Sequence, residues 1–141
     1  MFNSEFIHRT KPVKIRILIA DDLSHVRKGL QAFLESDDRI EIIGFASNGI
    51  QAIDIARKEL PQVVLMDARM PGLDGFEAAR YIREHLPSVH IIMMETEGDP
   101  NFENKANLAG IQSYILKSKP ELNLLDQITQ IKNTPCQGPI W

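Results

Sequence analysis

Four residues of this chain have the types and spacing of a phosphoryl-transfer site. Asp21 and Asp22 directly follow the apolar run KIRILIA, Asp67 ends the run QVVLMD, and Lys117 follows QSYIL. If those runs are strands of one sheet, three carboxylates meet at adjacent strand ends. Like charges gathered in this way call for a cation. Hard oxygen donors at an open site favour Mg²⁺, which takes one or two carboxylates together with waters and phosphate oxygens. Carboxylate, metal and lysine are the equipment for aspartyl phosphorylation, with an aspartate nucleophile and cations that neutralise the transferred group. Singly, each residue also fits a plainer role: a polar turn for the Asp pair, a solvated loop residue for Asp67, a strand-end charge for Lys117. The combination is what points to chemistry.

Positioning these residues requires an alternation of strands and helices, and the chain has one. Short apolar runs at Lys14–Ala20, Ile40–Ala46, Gln62–Asp67, His90–Met94 and Gln112–Leu116 predict five strands, and runs such as IIGF and VVLM read as buried on both faces. Between them, helical spacing sets Val26, Leu30, Phe33 and Leu34 on one face, then Ile50, Ile53, Ala56 and Leu60, then Phe76, Ala79, Ile82 and Leu86. A fourth helix over about Pro100–Ala109 is weakened by Asn101, Asn104 and Asn107. A fifth, about Glu121–Lys132, presents Leu122, Leu125, Ile128 and Ile131. Start signals are Asn48 with Gln51, Asp74 with Glu77, Ser118 with Glu121, and Asp99 ahead of Pro100 as first helical residue. The expected fold class is α/β: a doubly wound five-stranded parallel sheet with helices on both faces, for which the flavodoxin-like order 2-1-3-4-5 is one of the two common solutions. Its ligand crevice lies at the carboxyl ends of strands 1 and 3.

Bulk composition narrows the class further. The 141 residues fit one domain, and 43% hydrophobic with 25% charged residues is a globular mix. Net charge is −3 with no basic block, which argues against direct nucleic-acid binding. The single cysteine, Cys136, rules out an intrachain disulfide framework and suits a reducing compartment. MFNSEFIHRTKP lacks a signal peptide's apolar core, and no stretch approaches the roughly 20 apolar residues that span a bilayer. A cytoplasmic location with no membrane contact is expected. Residues 1–12 and 133–141 read as flexible tails around a domain at 13–132.

The stretches ILIADDLSHVRKGLQAFL, ASNGIQAIDIA, PQVVLMDARMPGLDGFEAARYIRE and AGIQSYILK occur in order at family spacing. Together they resemble the receiver domains of bacterial response regulators, most of all those that precede a DNA-binding helix-turn-helix. The resemblance covers about Ile15 to Lys132. It implies that Asp67 is the phosphoacceptor, that Asp22 ligates Mg²⁺ directly with Asp21 acting mainly through water, and that the backbone carbonyl of Arg69 is a further ligand. It implies that Lys117 contacts the phosphoryl group and that Tyr114 is the aromatic whose rotamer reports switching. The partners implied are a sensor histidine kinase or phosphotransfer protein upstream. Downstream, an output protein would dock on the face of helix 4, strand 5 and helix 5. A homodimer is also compatible.

One position departs from the family pattern. The Ser or Thr expected at the end of strand 4, 22 residues before Lys117, is Glu95, and Thr96 follows it. A hydrogen bond to a charged group contributes about 1.5–3 kcal/mol. A carboxylate roughly 4 Å from another negative charge costs on the order of 4 kcal/mol at an effective dielectric near 20. Glu95 directed at the phosphoryl group therefore opposes the switched state. It is expected to swing to solvent, to pair with Lys117, or to cede the hydroxyl role to Thr96.

The residues NTPCQGPIW after the last helix are too few for a helix-turn-helix. The expectation is thus a stand-alone signalling receiver, not an enzyme, that regulates a partner through protein contacts. The alternatives are a non-switching interaction module, a truncated transcription factor, and an aspartyl-phosphate hydrolase. Arg69 opposes the last, because that class wants an acid/base Asp just after the nucleophile.

Overall fold

The computed structural model describes residues 13–95, 99–111 and 113–132. Both expected tails, Thr96 and Gln112 lie outside the described residues. Strands β1 (Ile15–Ala20), β2 (Ile40–Ala46), β3 (Val63–Asp67), β4 (His90–Glu95) and β5 (Tyr114–Leu116) form one sheet of order β2-β1-β3-β4-β5. Every pairing is parallel. Helices α1 (Ser24–Glu35), α2 (Gly49–Glu59), α3 (Gly75–His85), α4 (Phe102–Leu108) and α5 (Leu124–Lys132) connect or follow the strands.

Alternation along each strand divides the core in two. On one face Leu18, Ala20, Val64, Met66, Ile91 and Met93 pack with Ala52 and Ala56 of α2, Ala78, Ala79 and Ile82 of α3, and Phe102 and Ala106 of α4. On the other, Ile17, Ile19, Val63, Leu65, Ile92 and Met94 pack with Leu30 and Leu34 of α1 and Leu124 and Ile128 of α5. The central strands β1, β3 and β4 are thus covered on both sides, as their unbroken apolar runs require.

Several local expectations are corrected. The buried stripe of α2 is Gly49, Ala52 and Ala56, whereas Ile50 is 60% and Leu60 52% exposed. Small residues bring the helix close to its neighbours: a Cβ on Gly49 would lie 2.5 Å from the Leu73 carbonyl oxygen. The run IIGF is not buried on both faces, because β2 is an edge strand, with Ile42 and Ile43 half-buried and Phe45 exposed. Ile43 is also the extra residue of a bulge, since Ile17 pairs with Ile42 and Leu18 with Gly44.

Asn48 and Asp74 cap their helices as expected, accepting from the N–H groups of Gln51 at 2.8 Å and Glu77 at 2.9 Å. Pro100, by contrast, sits in a turn ahead of α4, because Asp99 accepts from the Asn101 N–H and closes a local turn instead of capping. Likewise Ser118 caps nothing: Pro120–Leu122 forms a 3-10 turn preceded by Lys119, and α5 begins only at Leu124.

At the end of β4 remote from the strand carboxyl termini, His90 is 5% exposed and its Nδ1 is buried without a hydrogen-bond partner. Burial lowers its pKa from 6.5. In the window between the folded value and 6.5 the unfolded chain binds more protons, so stability is lost as pH falls below 6.5 and complete above it. Replacing His90 with Leu should flatten the dependence of the urea midpoint on pH below 6.5. An unchanged slope in the variant would assign that dependence to other groups.

Candidate functional site

The carboxyl ends of β1 and β3 adjoin at the centre of the sheet, with Ala20 paired to Met66. The chain leaves β1 through a tightly held Asp21. Its N–H donates to the Ala46 carbonyl at 2.9 Å, its Oδ1 accepts from the Leu23 N–H at 2.9 Å, and its carbonyl accepts from Arg27 Nη1 at 2.7 Å. Asp21 is fully buried, whereas the next residue, Asp22, is exposed.

Asp67 ends β3 at 2% exposure. Its Oδ1 accepts from the Arg69 N–H at 3.2 Å, which brings the backbone of Arg69 beside the carboxylate. The loop then returns so closely that the Gly75 N–H donates to the Ala68 carbonyl at 3.1 Å. A Cβ on Gly75 would overlap the carbonyl of Asp67.

Lys117 enters from the end of β5, its N–H held by the Glu95 carbonyl at 3.0 Å. Its Nζ lies 2.9 Å from Asp21 Oδ2 and 3.2 Å from Asp67 Oδ2. The second contact is a hydrogen bond. The first is an ion pair at shorter range, so one ammonium sits between the two buried carboxylates. Burial, then the neighbouring Asp21 charge, raise the Asp67 pKa against the opposing Arg69 N–H and Lys117. Burial disfavours the Lys117 ammonium, but the two carboxylates outweigh it and its pKa is raised.

One oxygen from each of Asp21, Asp22 and Asp67 lies within 4.8 Å of the others. An all-oxygen set of two buried carboxylates and an exposed third ligand suits a hard divalent cation that keeps part of its water shell. The residues fit Mg²⁺.

The receiver family model matches residues 17–129, so four-fifths of the chain follow its pattern. The chain belongs to the response-regulator receiver family. The transcriptional regulatory protein LiaR of Bacillus subtilis is 40% identical over 114 residues, which cover 81% of this chain and 54% of that protein. MctR of Rhizobium johnstonii is 38% identical over 108 residues, 77% of this chain and 50% of its own length. This receiver spans about half the length of the curated relatives it matches. Among solved structures, the signal receiver domain of the response regulator NarL from Mycobacterium tuberculosis superposes with a TM-score of 0.80 at 25% identity, covering 87% of this chain and all of that one. A LuxR-family DNA-binding response regulator from Staphylococcus aureus gives 0.77 at 26% identity, covering 84% and 99%.

The remaining expected site residues sit on the neighbouring face. Glu95 lines a groove with Tyr114, Leu116, Lys119 and Asn123, while the ion pairs of Lys117 go to Asp21 and Asp67. Tyr114 is half-buried, edge-on to Phe102 at 5.4 Å, and Phe102 is in turn edge-on to Phe76 at 5.3 Å. Burial first, then the nearby Glu103 carboxylate and the Glu95 charge raise the pKa of the Tyr114 hydroxyl. Arg69 lines a second groove with Asp22, Asp99 and Lys105, and Lys105 pairs with Asp99 at 3.5 Å. Among the described residues no helix is long and apolar enough to cross a membrane.

Sequence reasoning did not single out Arg27, Gly75 or Glu103. A signal existed for Arg27: a cation in the first turn of α1 opposes the helix dipole unless something nearby compensates it. Glu103 had none, because nothing in its local pattern predicts that its charge acts on Tyr114 of β5.

Proposed function

We propose that this receiver accepts a phosphoryl group on Asp67 from a phosphohistidine of a sensor kinase or phosphotransfer protein. The observation that carries the reading is a nearly buried Asp67 whose Oδ2 accepts from Lys117 while the same ammonium pairs with the buried Asp21. Asp21, Asp22, Asp67 and the Arg69 carbonyl would hold Mg²⁺. When bound, the ion supplies neutralising charge for the phosphoryl oxygens.

An Asp67 oxygen attacks phosphorus, the P–N bond of the donor breaks, and its electron pair returns to the imidazole nitrogen. The Arg69 N–H on Oδ1 and Lys117 on Oδ2 fix which way the carboxylate faces, and Lys117 offsets the charge the side chain acquires. The test is intact-protein mass after exposure to a small phosphodonor with Mg²⁺. One phosphoryl group should be gained, and the gain should be lost in Asp67→Asn. Labelling that persists in that variant would place the acceptor elsewhere.

Output runs through protein contact on the α4–β5–α5 face, in a cytoplasmic setting, with this receiver acting by itself or as a homodimer. A longer reading frame downstream would make it instead the receiver half of a transcription factor.

A second reading, a module whose binding ignores phosphorylation, draws support from Glu95 lying in the Tyr114 groove. Substituting Glu95 with Thr separates the two. If Glu95 impairs switching, the substitution should spread beryllofluoride-induced amide shifts from Asp67 to α4 and Tyr114. Identical spectra for variant and wild type would mean that Glu95 is not what limits the response.

A further inference from the structure

We infer that Arg27 is a positioning residue for the cation site, acting through the Asp21–Asp22 peptide; this rests on the reading that the acidic trio holds Mg²⁺. Asp22 poses the problem. It is exposed and its carboxylate has no hydrogen-bond partner among the described residues, yet one of its oxygens lies within 4.8 Å of oxygens from both Asp21 and Asp67. Repulsion from two buried carboxylates drives such a side chain outward, so its backbone must direct it inward.

That backbone is held by side chains on both sides of Asp22: Asp21 Oδ1 accepts from the Leu23 N–H beyond it, and Arg27 holds the carbonyl before it. The Arg27 guanidinium donates to the Asp21 carbonyl at 2.7 Å, while the Asp21 N–H and Oδ1 are engaged by Ala46 and Leu23. The peptide unit is planar, so fixing its oxygen fixes the direction in which Asp22 N and Cα leave it. The Asx turn from Asp21 Oδ1 to the Leu23 N–H sets the far side of Asp22, and Arg27 sets the peptide that leads into it.

The placement of Arg27 works against the helix that carries it. It occupies the first turn of α1, where no acidic residue accompanies it and the dipole disfavours a cation. A guanidinium presents its donors in a rigid planar fork, which an ammonium cannot reproduce. Its charge alone would weaken Mg²⁺ binding through repulsion. Positioning and charge thus predict opposite signs.

The experiment is an amide NMR titration with Mg²⁺ of the wild type, Arg27→Lys and Arg27→Gln, with urea midpoints measured in parallel. Removing outer partners of metal ligands typically weakens affinity about 10–100-fold. Arg27→Gln should therefore bind Mg²⁺ about ten-fold more weakly, with Arg27→Lys in between. Tighter binding by Arg27→Gln with wild-type affinity in Arg27→Lys would show that only charge matters and overturn the inference. Lowered urea midpoints with unchanged Mg²⁺ affinity would overturn it too, as a purely structural role. A wild type that shows no Mg²⁺-dependent shifts at Asp21, Asp22 and Asp67 would remove the cation reading itself, an outcome distinct from both.

Discussion

Asp67→Asn should abolish phosphoryl uptake and, at neutral pH, stabilise the protein by on the order of 1–2 kcal/mol. Asp67 is almost fully buried beside a fully buried Asp21, with one ammonium between them. Burial and the Asp21 charge both disfavour its ionised form, and its pKa is raised above 3.8. Between 3.8 and the folded value the native state holds the extra proton, so stability falls as pH rises through that window. At higher pH the ionised group is a constant penalty. Asparagine removes the penalty and keeps the shape, at the loss of one Lys117 contact.

The gain in urea midpoint should therefore be full at neutral pH and vanish as pH drops below 3.8, where wild-type Asp67 is protonated in both states. Mg²⁺ should narrow the gap from the other side by stabilising the wild type more than the variant. A destabilised variant at neutral pH would mean that Lys117 outweighs burial and repulsion together.

Gly75→Ala is the second large effect, a loss of about 3 kcal/mol from overpacking against unyielding backbone. The added Cβ would overlap the Asp67 carbonyl oxygen and also press on the backbone of Ala68. Neither is the flexible end of a side chain, so α3 must withdraw or the end of β3 must distort. Because the atom struck belongs to the acceptor residue, slower phosphoryl uptake should accompany the lost stability.

Gly72 in the same loop is the control. Its φ is +76° but nothing lies within 4 Å of a Cβ placed there, so alanine should cost only about 1 kcal/mol of backbone strain. Denaturation midpoints of the two variants test the comparison. Equal losses would mean that the clash at Gly75 is relieved by small shifts.

Five apolar runs separated by helical spacing were enough to assign a doubly wound sheet, with 2-1-3-4-5 as one of its two common orders, and the strand ends that carry Asp21, Asp22, Asp67 and Lys117. Periodicity and charge at strand ends are local in the chain, and burial on both faces leaves an unmistakable pattern in β1, β3 and β4. The same pattern misled at β2, where IIGF lies on an edge strand, and at α2, where alanines pack and Ile50 does not. Residue type cannot say which side of an apolar segment another element will cover.

The site divides along the same line. The identities of the carboxylates and the lysine were legible, because each ends a run and their charges cannot coexist without a cation. That Lys117 would bridge Asp21 and Asp67 while Glu95 lined a separate groove with Tyr114 was not. Nor were the overlap awaiting any Cβ at Gly75 and the hold of Arg27 on the Asp21 carbonyl. Residue order determined which groups meet at the carboxyl ends of the strands; loop return and side-chain reach, set only when both faces of the sheet are packed, decided which atoms touch.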